Sequence, residues 1–193
     1  MVSNNTLAAL ILVAIVISLV SIATTLNIAS RIPITLTGGI SGTTQVSVAT
    51  AITITLPVST VNFGSMSLNA EDDTTDNSPG PFIVQNDGSV CVNVTVNATQ
   101  LWSGTGATGT STYYRFKSEC NEANCVNNET EDLVSSWTNM PIASAATKLV
   151  NRLRYTDSQD TVKAHIYLKV PADEPAGPKS STVTFTSEDA GGC

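Results

Sequence analysis

The sequence predicts an all-β protein: an antiparallel, jelly-roll-like β-sandwich of eight to nine strands, preceded by one long apolar N-terminal α-helix. Three observations predict it. Charged residues make up only 13% of the 193 residues, about half the usual share, and Thr, Ser, Val, Asn and Ala take their place, a composition that favours strands. Short stretches of apolar/polar alternation recur between turn residues along the C-terminal two thirds. The first thirty residues carry no charge at all.

The uncharged start divides the chain. Residues 1–30 form an apolar helix, a membrane anchor or filament core. Residues 31–59 are uncharged, Thr/Val/Ile-rich linking strands after Arg31, and residues 60–193 are an extracellular sandwich. The run at residues 7–26, LAALILVAIVISLVSIATTL, would span about 30 Å as a helix, the thickness of a bilayer's hydrocarbon core. It fits three roles: a retained signal anchor, a signal peptide cleaved near Ser21–Ile22–Ala23, or a helix that packs in a filament. Membrane contact through residues 7–26 is expected in the first and at the start of the third. The net charge of −7 speaks against nucleic acid, because duplex binding needs a basic surface.

The strands follow in order. Residues 32–37 and 43–56 read as extended. In TTQVSVATAITITL, Val46, Val48, Ile52, Ile54 and Leu56 share one parity, and Pro57 ends the run. Residues 61–63 give a short strand before Gly64. Residues 82–86 and 89–97 read as a hairpin turning at Asn86–Asp87–Gly88. In the second arm Val90, Val92, Val94 and Val96 alternate with Cys91, Asn93, Thr95 and Asn97. Residues 112–117 place Tyr114 and Phe116 on one side. Residues 142–155 read as a strand, since Leu149, Leu153 and Tyr155 share parity. Residues 161–170 turn Val162, Ala164, Ile166, Leu168 and Val170 inward and Lys163, His165, Tyr167 and Lys169 outward. Residues 181–187 close the series, with Val183 and Phe185 inward. Trp102 and Trp137 read as core or loop-covering residues, with an aromatic platform for sugars as the other option.

Four cysteines behind an apolar segment imply disulfides in an oxidising compartment. Three pairings are open. Cys120 and Cys125 enclose four residues, which favours a local bridge and leaves Cys91 for Cys193. Zinc is a poor fit, because the spacings match no zinc pattern. Glycosylation sequons start at Asn93, Asn97 and Asn128, and also at Asn4 before the helix. The two on the Val-rich strand lie opposite the valines, where a glycan would need them.

Little points to catalysis. The single histidine, His165, falls on the polar face of its strand, and no nucleophile-elbow, Walker, dinucleotide or metalloprotease motif is present. The chain is therefore not expected to be an enzyme or to need a cofactor. Glu71, Asp72, Asp73 and Asp76 crowd one loop and form a weak calcium candidate; a solvated acidic loop is the simpler alternative.

The series FGSMSLNAEDDTT…PFIVQNDGSVCVNVTV resembles the opening of secreted sandwich domains of the camelysin type, which include biofilm-fibre subunits. The residues that carry the resemblance are Gly64, Thr74, Thr75, Phe82, Asn86, Gly88, Val90 and Val92. The apolar segment ALILVAIVISLVSIATTL is similar to the helices of archaeal pilins and archaellins, and helix plus sandwich looks like small archaeal surface proteins. The resemblance covers roughly residues 60–187 and implies a jelly-roll-like fold and an extracellular, fibre-forming role. It brings no catalytic residues.

The expected function is thus that of a cell-surface structural protein, a self-associating pilus- or fibre-like subunit or adhesin, tethered by its helix or assembled into filaments. The alternative is a monomeric anchored module that binds a glycan or a protein partner. The uncharged 43–56 run, with Val46, Val48, Ile52, Ile54 and Leu56 on one face, lacks the Lys, Pro or bulge that normally guards an edge. It is the expected assembly strand, pairing with another subunit, the alternative being a strand that bends and serves both sheets of its own chain.

Overall fold

The computed structural model describes residues 11–18, 46–47, 49–104, 112–142 and 145–193. The chain divides into two compact units, Met1–Val46 and Ser47–Cys193. In the first, residues 11–18 form helix α1 with exposed apolar side chains. The rest of the expected helix, the strand at 32–37, Asn4 and Val48 lie outside the described residues. Among the described residues no helix is long and apolar enough to cross a membrane.

The second unit is all-β, with nine strands among the described residues. They are β1 (Ile54–Val58), β2 (Glu71–Asp73), β3 (Phe82–Asn86), β4 (Val92–Ala98), β5 (Tyr114–Cys120), β6 (Thr138–Asn139), β7 (Thr147–Leu153), β8 (Thr161–Lys169) and β9 (Val183–Asp189). A one-turn helix, α2 (Glu129–Asp132), sits between β5 and β6. The strands make two antiparallel sheets. The larger runs β1-β3-β8-β5-β6, and the smaller runs β7-β4-β9. Strand β8 is the hub of the larger sheet. One edge pairs with β5, while the other is shared, Thr161–Ala164 with β3 and Tyr167–Lys169 with β2.

Alternation builds the core between the sheets. Val92, Val94 and Val96 of β4 meet Val162, Ala164 and Ile166 of β8, with Tyr114 and Phe116 of β5, all at most 5% exposed. Each fully buried Val or Phe side chain stabilises the fold by about 1.5–3 kcal/mol. Ser118 is the polar tie: its Oγ donates to Leu149 O across the sheets and accepts from Val134 N, both at 2.7 Å.

Several expectations are corrected. Residues 82–97 are not a hairpin, because β3 and β4 lie in different sheets. Asn86 is buried, at 1% exposure, and makes the corner between them. Its Nδ2 faces Val90 O, Leu153 O and Arg154 O at 2.9–3.1 Å, and its Oδ1 accepts from Gly88 N at 3.0 Å. Of the expected strand over 43–56, the described residues 46–47 and 49–53 are not in a strand. Among its described residues, pairing starts at Ile54, and Ile54–Val58 pairs with β3; Pro57 lies inside this edge strand instead of ending it, as an outward-facing position without an N–H permits. Residues 49–51 are instead tied to the corner. Ser89 N donates to Ala51 O at 2.9 Å, and Ser89 Oγ accepts from Ala51 N at 2.9 Å. A Cβ at Gly88 would stand 2.4 Å from Ala51 O, so only glycine allows this approach. Residues 61–63 form no strand.

The strand at 147–153 is as expected, but its parity is not strict. Leu149, Val150 and Leu153 are all buried while Tyr155 is 45% exposed. A register shift opposite Val92–Thr95 and the positive φ of 52° at Arg152 break the alternation, as a bulge does.

Candidate functional site

The two sheets differ in width, and the difference leaves a surface open. The smaller sheet ends at β9, which packs over β3 through an edge-to-face contact of Phe185 and Phe82, centroids 5.7 Å apart. Among the described residues the smaller sheet has no strand beyond β9 to cover β1. Accordingly Ile54 is only half-buried, Leu56 is 37% exposed, and no residue of β9 is fully buried.

The free edge of β9 can be assigned residue by residue. Thr99 N donates to Thr182 O and Ala190 N to Cys91 O, both at 2.9 Å. In an antiparallel ladder such bonds recur at every second residue. The backbone groups of Thr182, Thr184, Thr186, Glu188 and Ala190 therefore face β4, and those of Val183, Phe185, Ser187 and Asp189 face away from it. Its middle residues, Thr184–Ser187, carry none of the usual edge protection by charge, Pro or bulge. The edges of the larger sheet differ: β1 contains Pro57, and β6 has two residues.

Beside this edge a groove of about 1090 Å³ runs between the 59–68 segment and the 175–183 segment. Its apolar lining includes Leu56, Phe63, Met66, Leu68, Phe82 and Val183. Its lining also includes Glu174, whose carboxylate accepts from Ser103 N, Ser103 Oγ and Gly104 N and pairs with Lys179. Burial alone would raise this carboxyl, but Lys179 and the Ser103 and Gly104 donors outweigh it and hold it at about 2.

The sequence-predicted residues distribute as follows. Cys120 is bonded to Cys125 and Cys91 to Cys193, the connectivity expected. Cys91 itself is buried, at 1% exposure. Asn93 and Asn97 lie half-buried on the face opposite Val92, Val94 and Val96, with Asn93 Oδ1 accepting from Arg152 N. Asn128 is exposed and caps α2, accepting from Thr130 N. Of the expected assembly residues, Val46 is 81% exposed and Ile52 43% exposed, and neither is in a strand.

The four acidic residues do not converge. Glu71, Asp72 and Asp73 make up β2, where Glu71 accepts from Tyr167 OH at 2.7 Å. Asp72, Asp73 and Asp76 each accept from a backbone N–H one or two residues further on, those of Asp73, Thr75 and Ser78. Among the described residues no group of three His, Cys, Asp or Glu could hold a metal ion.

His165 is not a surface residue. It is 2% exposed, with Nδ1 3.1 Å from Thr74 Oγ1 and 3.2 Å from Thr74 O. Thr74 also accepts from Ile166 N through Oγ1, so the turn between β2 and β3 folds over the ring. Burial holds the imidazole below its ordinary value of 6.5, Lys117 and Lys163 add to this, and Glu119 and the Thr74 backbone oppose it. Strand parity could not reveal this, because the cover comes from a turn some ninety positions away in sequence. Trp102 is 6% exposed, its Nε1 donating to Tyr113 O. The chain matches no protein-family model and no curated protein.

Proposed function

We propose that this chain is an extracytoplasmic structural subunit that self-associates by strand addition at β9. The observation that carries the proposal is the free, uncharged middle of β9 lying beside an open apolar groove. An added strand would satisfy the outward N–H and C=O groups of Val183, Phe185 and Ser187 and cover Leu56 and Phe82. A neighbouring copy can supply such a strand from residues 32–48, which contain no charge and many β-branched residues. The apolar segment 7–26 holds the subunit in the membrane or packs in the filament axis. Two disulfides fit an oxidising exterior, and the resemblance to camelysin-type fibre subunits points the same way. The sequons at Asn93, Asn97 and Asn128 then carry glycans on the outside.

Ser187→Pro tests this. Ser187 faces the free edge, so proline removes an N–H that is not paired to β4 and has no partner among the described residues. The purified full chain should form filaments in negative stain, and the variant should remain monomeric with an unchanged melting temperature. Filaments that form equally well from the folded variant would overturn strand addition at β9.

A further inference from the structure

The face of the larger sheet turned away from the core carries a second, chemically different patch. Along β5, Arg115, Lys117 and Glu119 alternate with the buried Tyr114, Phe116 and Ser118. Along β8, Lys163, His165, Tyr167 and Lys169 alternate with the core positions. The register sets Arg115 between Tyr167 of β8 and Asn139 of β6. Trp137, next to β6, completes the group. The Trp137 and Tyr167 rings lie 5.6 Å apart, tilted by 52°, and both residues are half-buried. Lys117 Nζ lies 4.9 Å from the Trp137 ring centre, and the Arg115 guanidinium carbon lies 5.5 Å from that of Tyr167.

Two features separate this patch from an ordinary solvated strand face. The first is charge. The chain is acidic overall, yet Arg115, Lys117, Lys163 and Lys169, four of its nine Lys and Arg residues, share this surface. Lys163 and Lys169 are neutralised locally, by Glu119 at 3.9 Å and Glu71 at 3.7 Å. Among the described residues no carboxylate pairs with Arg115 or Lys117. The second is fixed aromatic geometry. Tyr167 OH donates to Glu71 Oε2, which orients the ring, and Lys169 holds Glu71 in turn. Two tilted rings present flat apolar surface, and two uncompensated cations sit directly against them.

We propose that this face binds an acidic polysaccharide, with a uronate-type sugar ring against the solvent-facing parts of Trp137 and Tyr167. Its carboxylate pairs with Arg115 and Lys117. The ligand class follows from the combination. A simple anion would use the cations and leave the rings idle, and a neutral sugar would use the rings and leave the cations idle. Charge-assisted bonds to a planar carboxylate suit a guanidinium, and a cation is drawn to the face of an aromatic ring, which holds both groups beside the ring surface.

The test uses the full chain and three soluble probes: polygalacturonate, neutral dextran and polyglutamate. Calorimetric titration should show binding of polygalacturonate, no binding of dextran, and binding of polyglutamate about tenfold weaker or less. Trp137→Ala and the double variant Arg115→Gln/Lys117→Gln should each weaken polygalacturonate binding about tenfold or more, the worth of one stacking or charge-assisted contact. Lys148→Gln, a cation on the smaller sheet, should change nothing. Melting temperatures confirm that each variant is folded, and Trp137→Phe should retain most of the binding if stacking matters. Polygalacturonate failing to bind, equal binding of polyglutamate, or equal losses with Lys148→Gln would each overturn the proposal.

Discussion

Replacing Cys193 with alanine should remove the most stabilising covalent restraint in the chain while leaving the core side chains in place. Cys91 and Cys193 are separated by 102 positions, whereas Cys120 and Cys125 are separated by 5. In the chain-entropy model the long loop contributes about 4.7 kcal/mol and the short one about 2 kcal/mol. Cys193 is exposed, so its truncation leaves no cavity, and the buried Cys91 thiol keeps its packing. With a urea m-value of about 2 kcal/mol/M, the loss corresponds to a fall of about 2 M in the unfolding midpoint. The effect should also be local. The bridge fastens the chain just beyond β9, which already lacks a neighbour on one side, so hydrogen exchange should accelerate first at Val183–Asp189. Non-reducing urea unfolding by fluorescence and native-state exchange would measure both. A midpoint within about 0.5 M of the parent, outside any change in m, would refute the loop-closure reasoning.

Asn86→Asp should destabilise the folded unit by about 2–4 kcal/mol at neutral pH, because an ionised carboxylate would face three backbone carbonyls; the loss should shrink in acid as the carboxyl protonates, and a variant as stable as the parent would show that the corner does not depend on Nδ2. Glu174 has a folded pKa of about 2 against an ordinary 4.5, so the unfolded chain takes up the proton first as the pH falls. Its stabilising contribution should be complete above about pH 4.5 and vanish by about pH 2, and Glu174→Gln should flatten that part of a stability–pH curve. His165 titrates below 6.5 in the folded state, so stability should decline as the pH falls beneath 6.5. The single imidazole resonance of the native protein should show a midpoint under that value, and a midpoint above it would contradict the burial against Thr74.

Alternation made the central strands legible. The valines of β4, Tyr114 and Phe116 of β5 and the apolar positions of β8 could be placed on the core side, because one face of each strand is buried and the other is not. Features set by partners distant in sequence were hidden. Asn86 looks like a turn residue because asparagine favours turns, and nothing local says that its amide collects three carbonyls from two other segments. Strand β2 escaped notice because Glu71, Asp72 and Asp73 have the composition of a loop; it forms because Tyr167 and Lys169 of β8 receive Glu71. The uncharged 43–56 run shows the opposite error. Its pattern fits a long strand, but Ser89 and the bare Cα of Gly88 capture residues 49–51 and shorten it. The surface patch was only half visible: Trp137 was a candidate platform by residue type, while Arg115 and Lys117 joined it only through the β5–β8 register. The groove is a property of unequal sheet widths, which no single segment encodes.

The position of β8 also bears on when the fold can appear. Before residues 161–169 are available, the larger sheet consists of two unconnected pieces, β1 with β3 and β5 with β6, and β2 has no partner. The smaller sheet likewise waits for β7 and then β9 to flank β4. A chain emerging from its N-terminal side would thus remain without a closed core through most of its length. Such late, long-range closure makes folding slow compared with a helical bundle of the same size. It also leaves the polypeptide without a closed core until nearly all of it has been made. A protein that must pass through a narrow opening before it sets would gain from that delay, since the core cannot close until β8 and β9 have followed.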